Sequence, residues 1–170
     1  HISRLIDDGS TLQTSLGVTN EAIVHCLSEK NDIGVHSQYL SDGLMRLFSL
    51  GVITNKKKGL NNGKLVAGSA VGTRLLYDFI DDNPCIEFHP SEYVNNPAII
   101  ARHNAMVSVN TIMAIDLTGQ VAADALPFNN YTGITGLLDF TRGAAMSENG
   151  KSILMLTATS DHGTKSRIVP

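Results

Sequence analysis

Gln38 lies in the run from Gly34 to Gly43 (GVHSQYLSDG), where the residue types change from apolar to polar. Ile33 and Val35 predict a short strand before Gln38, and the residues from Ser41 onward predict an amphipathic helix after it. Open α/β sheets bind ligands outside the carboxyl ends of their strands. A side chain at this junction would be held by regular structure while facing a ligand, so Gln38 is the first candidate site residue.

A second candidate is a loop between a predicted strand and a predicted helix. Its residues are Ser15, Leu16, Gly17, Val18 and Thr19. Backbone N–H groups at a helix start have no intrahelical partner and carry partial positive charge, so they can hold an anion or a developing oxyanion. Every junction of this kind has such groups. On local sequence alone, a plain connecting loop is the favoured interpretation.

A third candidate is the glycine-rich run from Gly133 to Gly136 before a predicted helix. Glycine lets the backbone approach a ligand closely, so the N–H of Gly136 could face a ligand oxygen. Asp139 and Arg142 follow on that helix, where a cap or an ion pair across one turn is the favoured interpretation.

Asn110 lies in the middle of the apolar strand candidate MVSVNTIMAI. A buried amide without a hydrogen-bond partner costs about 1–3 kcal/mol, so it must be satisfied. Neighbouring backbone could satisfy it, or it could point into a site and hold a substrate carbonyl. The sequence leaves these two interpretations open.

The histidines and the remaining nucleophile arrangements point to no metal or triad chemistry. The six histidines are scattered at positions 1, 25, 36, 89, 103 and 162, without HExxH or paired ligand spacing, so no metal is predicted. A triad of Ser37, His36 and Asp42 would need near neighbours in sequence to adopt a geometry they rarely form, and no GxSxG elbow is present.

Predicted strands and helices alternate along the chain, which indicates a layered α/β domain with an open, mainly parallel sheet. The predicted strands cover residues 11–14, the neighbourhood of 35, 52–54, 64–69, 86–88, 106–116 and 153–159. The predicted helices begin at Thr19 or Asn20, at Ser41, after Gly72, at Asn96 and at Leu137. Cys26 and Leu75 are predicted to face inward, and the loop over residues 127–136 is predicted to be irregular.

Length and composition limit the function classes. With 170 residues and 42% hydrophobic content, the chain predicts one domain over residues 1–170. The net charge of -3 argues against nucleic-acid binding, and Lys56–Lys58 are predicted to be a solvated turn. No run approaches the roughly 20 apolar residues of a membrane span. Two cysteines without a motif fit a reducing, cytoplasmic setting.

Motifs along nearly the whole chain resemble the C-terminal half of the acetyl-CoA hydrolase/transferase family, which includes 4-hydroxybutyrate and acetate CoA-transferases. GVHSQYLSDG resembles that family's HSE-x-x-SDG segment. The other shared blocks are DGSTLQTSLG, GVITNKKK, LYDFIDDNP, IEFHPSEYVNNP, IDLTGQV, GITGLLDFTRGAA and SRIVP. The resemblance implies a NagB/RpiA/CoA-transferase-like fold with helices on both faces of the sheet. It also implies an N-terminal half outside this chain that closes over coenzyme A, and a homo-oligomer.

The resemblance further implies a ping-pong reaction between an acyl-CoA and a small carboxylate. A glutamate attacks the thioester to give an acyl-glutamyl anhydride, and CoA thiolate converts this to a glutamyl-CoA thioester. Gln38 matches that glutamate, Asn110 matches a substrate-side amide donor, and Gly136 matches an oxyanion donor. The implied CoA-contacting residues are Ser15, Leu16, Gly17, Val18, Thr19, Thr132, Gly133 and Gly136.

An amide at position 38 cannot form the anhydride by the usual route, and Ser15 and Thr135 stand where relatives commonly have glycine. Three interpretations follow for the chain. It belongs to a CoA-transferase whose nucleophile has been altered, or it is a non-catalytic module that binds CoA or acyl-CoA. In the third, water replaces the nucleophile and the protein hydrolyses acyl-CoA, with Glu87 or Glu92 as general base.

Overall fold

Six parallel strands form the central sheet in the computed structural model, which describes residues 1–123, 125, 126, 129, 130 and 135–170. The strands of the domain are β1 (Thr11–Thr14), β2 (Gly34–Leu40), β3 (Leu65–Ala70), β4 (Ile86–Phe88), β5 (Met106–Thr111), β6 (Ala114–Asp116), β7 (Val121–Ala122), β8 (Ala125–Leu126), β9 (Asn129–Asn130), β10 (Lys151–Met155), β11 (Thr159–Ser160), β12 (Lys165–Ser166) and β13 (Ile168–Val169). The helices are α1 (Val18–His25), α2 (Asp42–Ser49), α3 (Arg74–Ile80), α4 (Ser91–Val94), α5 (Pro97–Ile100) and α6 (Leu137–Met146), with single 3₁₀ turns at Ile2–Leu5 and Asp161–Gly163.

The strand order of the sheet is β10-β5-β1-β2-β3-β4. The chain winds outward from β1 to β4 and then returns to place β5 on the other side of β1. The order therefore reverses between β1 and β5, and such a reversal leaves a crevice at the carboxyl ends of the two strands. Three small sheets (β13-β6-β7, β11-β12 and β8-β9) lie outside the main one.

Helices cover both faces of the sheet, because successive strand residues point to opposite sides. Leu65 and Ala67 of β3 join a core cluster with residues of α1, α2 and α3, whereas Val66 joins a second cluster with residues of α4, α5 and α6. We call these the α1–α3 layer and the α4–α6 layer. The predicted fold class, an open parallel α/β sheet with helices on both faces, is confirmed.

Local sequence accounts for several element boundaries. Ser41 caps α2, with its Oγ accepting from the N–H of Leu44. Asn96 caps α5 through a bond from the N–H of Ala98, and Pro97 is the first residue of that helix. Both helix starts were predicted at these caps.

Other boundaries differ from the prediction because the chain changes hydrogen-bond partners. The predicted strand over 106–116 is divided after Thr111, since the N–H groups of Ile112 and Met113 bond to Met155 and Ala122. Residues 52–54 contribute only an isolated bridge between Ile33 and Ile53. Two predicted loop residues instead form β9, and the rest of that predicted irregular loop before residue 135 lies outside the described residues.

Three burial predictions are wrong. Cys26 is exposed because α1 ends at His25, so that Cys26 is its C-cap, and the helix buries Asn20 and Val24 instead. Leu75 is 68% exposed, and only Leu76 of α3 is fully buried. Lys58 is 3% exposed rather than solvated.

Candidate functional site

Gln38 and Gly136 come together across 98 positions of sequence, with the N–H of Gly136 donating to Gln38 Oε1 at 3.1 Å. Gln38 belongs to β2 itself rather than to the polar turn after it, and its side chain is half-buried. Gly136 is buried and is the N-cap of α6. Because a backbone N–H can only donate, the amide oxygen of Gln38 must face Gly136.

Gln38 lies level with the end of β1. The preceding residue, Ser37, donates its Oγ to the carbonyl of Thr14, the last residue of β1. On the other side of β2, Gly68 of β3 lies against the backbone carbonyl of Gln38. A Cβ added to Gly68 would be 3.1 Å from that carbonyl oxygen. Thr14 and Gly68 both belong to the backbone of the sheet, so position 38 is held in place near the carboxyl edge of the sheet.

The Ser15–Thr19 loop lies at the reversal between β1 and β5. The N–H of Ser15 bonds to the carbonyl of Val109 in β5, and Asn20 Nδ2 donates to both Ser15 Oγ and Thr111 Oγ1 at 3.0 Å. Helix α1 begins inside the predicted loop, so Val18 and Thr19 are helical. The loop therefore occupies the crevice in which open α/β sheets bind ligands.

Asn95 is the neighbour of Gln38 and Gly136 that the sequence did not indicate. A Cβ on Gly136 would lie 2.9 Å from Asn95 Nδ2 and 2.9 Å from Gln38 Oε1. Asn95 Oδ1 is a buried oxygen without a hydrogen-bond partner among the described residues. The only local signal was the Asn95-Asn96-Pro97 pattern, which marks a helix start and points to Asn96.

Asn110 pairs with Gln13 of β1 through both ends of its side chain. Gln13 Nε2 donates to Asn110 Oδ1, and Asn110 Nδ2 donates to Gln13 Oε1, each at 3.0 Å. Both residues are buried. The amide is thus satisfied by another side chain, not by the neighbouring backbone considered above, and these contacts do not bring it to Gln38.

Replacing Asn110 by Leu is expected to lower the free energy of unfolding by about 2 kcal/mol, because the buried amide of Gln13 loses both of its bonds. Urea denaturation measures this change. The double variant with Gln13→Leu as well should recover part of the loss, since both polar partners are then removed. Strictly additive losses would contradict the pairing.

Gly136→Ala is expected to break the bond to Gln38 while lowering the free energy of unfolding by at most about 1 kcal/mol. The new Cβ would displace only the ends of the Gln38 and Asn95 side chains. The matched control is Gly143→Ala on the same helix, whose Cβ would press on Ile100 and cost about 1–3 kcal/mol by overpacking. Urea denaturation and the amide NMR signals of residues 38 and 136 separate the two effects. Equal stability losses would contradict this assignment.

Three basic side chains lie buried beneath the site. Burial lowers the pKa of His36 to about 4 and the pKa of His103 to about 2, and their ring centroids are 4.6 Å apart. Burial likewise lowers the pKa of Lys58 to about 7. Lys58 Nζ donates to the carbonyls of Val35 and Lys64 at 2.7 and 2.8 Å. The two histidines are therefore neutral at pH 7.

The remaining candidates are placed as follows. Glu87 bonds to Asn61 and His89, and Glu92 lies in α4, where Ser91 Oγ approaches it at 3.4 Å. Asp139 lies in the first turn of α6, and no salt bridge to Arg142 is formed within the part of the chain that the structure describes. Thr132 and Gly133 lie outside the described residues.

Residues 72–170 match the C-terminal domain of the acetyl-CoA hydrolase/transferase family. The chain belongs to that family. The match covers β4, α4 and α6, and therefore Asn95 and Gly136, while Gln38 lies before it.

Curated family members extend the similarity to the whole chain. The 4-hydroxybutyrate coenzyme A transferase of Clostridium kluyveri is 43% identical over 166 residues, covering 98% of this chain and 39% of its own length. The succinyl-CoA:cyclohexane-1-carboxylate CoA transferase of Geobacter metallireducens is 40% identical over 170 residues, covering 100% and 39%. The chain thus spans about two fifths of the length of these relatives.

Solved structures of family members have the same fold. RipA from Yersinia pestis superposes with a TM-score of 0.92 at 38% identity, covering 99% of this chain and 37% of that one. A 4-hydroxybutyrate CoA-transferase from Porphyromonas gingivalis superposes with a TM-score of 0.89 at 39% identity, covering 99% and 40%. The arrangement of β2, α4 and α6 described above therefore belongs to a fold that CoA-transferases share.

The described residues contain neither a candidate metal cluster nor a candidate membrane-spanning helix. No group of three or more His, Cys, Asp or Glu side chains among them could hold a metal ion. None of the helices they form is both long enough and apolar enough to cross a bilayer.

Proposed function

We propose that this chain is the C-terminal domain of a CoA-transferase-type protein that moves CoA between an acyl-CoA and a small carboxylate. The observation that carries the proposal is the contact of Gln38 with the N–H of Gly136. The contact supports the proposal because the resemblance assigns the family's nucleophile to position 38, and acyl transfer requires a nucleophile beside a backbone donor.

The Ser15–Thr19 loop supports a role in binding CoA. It lies at the reversal of strand order, and α1 starts there with Gly17 at a φ of 127°. Only glycine adopts such a backbone readily, and the N–H groups of the first helical turn that follows have no intrahelical partner, so they could meet a phosphate or an acyl oxygen. We assign this loop, with Thr132, Gly133 and Gly136, to CoA contacts.

Asn95 fits the role of a second amide donor better than Asn110 does. Its Nδ2 lies against Gly136, on which Gln38 Oε1 also converges, whereas both polar ends of Asn110 are bonded to Gln13. A thioester oxygen that displaces Gln38 Oε1 from the Gly136 N–H would meet two donors, Gly136 and Asn95, when it becomes an oxyanion. Asn110 would then have an indirect role, because its pair with Gln13 joins the ends of β1 and β5.

The bond to Gly136 also determines what Gln38 presents to a ligand. With Oε1 facing Gly136, the Nε2 group points away, and no acceptor among the described residues is bonded to it. Position 38 therefore offers two N–H donors where a glutamate would offer a second carboxylate oxygen. Such a group can hold an acyl carbonyl or a carboxylate but cannot attack a thioester, so we expect no covalent transfer from the chain as it stands.

A non-catalytic module that binds CoA or acyl-CoA is the second candidate, and the donor character of Gln38 favours it. The hydrolase interpretation has less support, since Glu87 and Glu92 are bonded to Asn61, His89 and Ser91.

The assay that separates the three functions uses the polypeptide that carries this chain, acetyl-CoA and a labelled carboxylate. Transfer predicts label in a new acyl-CoA, and a transferase with an altered nucleophile predicts this only after Gln38→Glu. A binding module predicts calorimetric binding of acetyl-CoA with no label exchange in either form. Hydrolysis predicts CoA release without any carboxylate, and its appearance would overturn the proposal.

A further inference from the structure

His36 lies on the same strand and the same sheet face as Gln38, two residues before it. Gln38 bonds to the N-cap of α6, and the ring of His36 lies near Phe140 of the same helix, with ring centroids 6.1 Å apart. Both side chains therefore face the α4–α6 layer. His36 is completely buried, so it cannot itself meet a ligand at the carboxyl edge.

The ring of His36 holds the end of helix α4. Its Nε2 lies 2.8 Å from the carbonyl oxygen of Val94, the last residue of α4. A carbonyl only accepts, so Nε2 carries the proton and donates it. Carbonyl groups in the last turn of a helix have no intrahelical partner, and this bond supplies one.

Val94 is followed directly by Asn95, which touches the site. Asn95 Nδ2 and Gln38 Oε1 both lie within about 4 Å of Gly136, because a Cβ on that glycine would be 2.9 Å from each. The contacts form a closed circuit from His36 to Val94, Asn95, Gly136 and back to Gln38 on β2. A shift of α4 relative to β2 would therefore move Asn95 relative to the Gly136 N–H.

Neighbouring rings fix the orientation of His36. The ring of His103 lies 4.6 Å away and that of Tyr93 lies 6.2 Å away, centroid to centroid. His103 is held in turn through its carbonyl, which accepts from Ser147 Oγ at 2.6 Å at the end of α6. The donor of His36 is thus aimed at Val94 by packing on several sides.

We propose that His36 is a positioning residue, which sets Asn95 and the Gly136 N–H against position 38 by tying the end of α4 to β2. This inference rests on the proposed function only for its consequence in catalysis. The geometric part concerns the Gly136–Gln38 bond and is measurable without any turnover.

The test compares His36→Gln, His36→Asn and His36→Leu in the polypeptide that carries this chain. A glutamine reaches about as far as ring Nε2 and can still donate to Val94, whereas asparagine reaches only as far as Nδ1 and leucine has no donor. The readouts are the ¹⁵N–¹H signal of Gly136 and its hydrogen-exchange rate. We expect the Gln variant to keep both, and the Asn and Leu variants to shift the signal and speed exchange about tenfold.

His103→Leu is the matched control, because leucine is about as bulky as the ring it replaces and still packs against His36, so the His36–Val94 bond is kept. It should lower the melting temperature as His36→Leu does, with the Gly136 signal unchanged. If His36→Leu does not fold, the comparison of Gln with Asn decides. Equal effects of all four variants on Gly136, or no effect of any, would overturn the proposal.

A kinetic arm uses the same variants in a Gln38→Glu background. Loss of positioning should lower kcat about 10-fold to 100-fold with KM changed less than about threefold, and His36→Gln should restore it. Absence of any turnover in that background would count against the proposed transfer, while the Gly136 measurements would still decide the role of His36. A proportional rise in KM at constant kcat would instead indicate substrate binding and contradict positioning.

Discussion

Replacing Gln38 by Glu is expected to create a protein–CoA adduct that the unaltered chain does not form, and to raise acyl transfer by on the order of 10³-fold or more, as expected when a nucleophile is supplied. One carboxylate oxygen would accept from the Gly136 N–H in place of the amide oxygen, leaving the other free to attack. The carboxylate adds to the thioester carbonyl and expels CoA thiolate, and the thiolate then attacks the glutamyl carbonyl and releases the acyl group as a carboxylate.

Intact mass measurement after mixing with acetyl-CoA detects the adduct, and borohydride reduces the thioester and releases CoA thiol. The matched control is Gln120→Glu, the same chemical change at an exposed residue whose bonds within the described part of the chain go to Asp116 and Thr118. This control should remain without an adduct. Equal transfer rates in the unaltered and Gln38→Glu forms would refute the role of position 38.

Acidification from pH 7 to pH 5 is expected to lower the free energy of unfolding by about 4 kcal/mol. The pKa values of His36 and His103 are about 4 and about 2 in the folded chain, below the ordinary value near 6.5. The unfolded state therefore binds more protons across this range, so stability falls as pH falls through 6.5. Each histidine contributes about 2 kcal/mol.

The window from pH 7 to 5 isolates these two groups from the carboxylates with shifted pKa values. Hydrogen bonds lower the pKa of Asp7, Asp8, Asp32 and Asp116 below 3.8, so those groups lose their contribution only in stronger acid. Lys58, whose pKa burial lowers to about 7, acts in the same direction as the histidines, mainly between pH 7 and pH 10.5.

Urea denaturation followed by circular dichroism suits this measurement, since the chain has no tryptophan. Removing one buried histidine by His103→Gln should halve the pH dependence between 7 and 5. The control His25→Gln changes an exposed histidine in the last turn of α1 and should leave the dependence intact. Stability that varies by less than about 1 kcal/mol over this range would contradict neutral burial of the pair.

Local sequence determined those parts of the fold that depend on neighbours along the chain. The strand around Val35, the strand β3, the Ser41 start of α2 and the Asn96-Pro97 start of α5 all follow from residue types within a few positions. These elements alternate, so the parallel α/β class was predictable from them. The motif around Gln38 also predicts, by its resemblance to the family, that the nucleophile position is residue 38, because the pattern is contiguous.

Only the tertiary structure decided which distant residues meet. Gly136 reaches Gln38 across 98 positions, and Gln13 reaches Asn110 across 97. Such pairs depend on strand order and on the helix layer packed against the sheet, and no local pattern encodes either. Asn95 was hidden for the same reason, since its neighbours come from other elements.

Residue types close in sequence also did not predict which charged and polar side chains are buried. Lys58 belongs to a run of three lysines that predicts a solvated turn, yet two carbonyl groups from other segments hold its Nζ inside. The sequence placed His36 beside the candidate site but did not predict its contacts with Val94 and His103. A side chain's burial is set by everything that packs on it. The sequence therefore determined the helices and strands and predicted the role of position 38, whereas the tertiary structure determined which residues surround it.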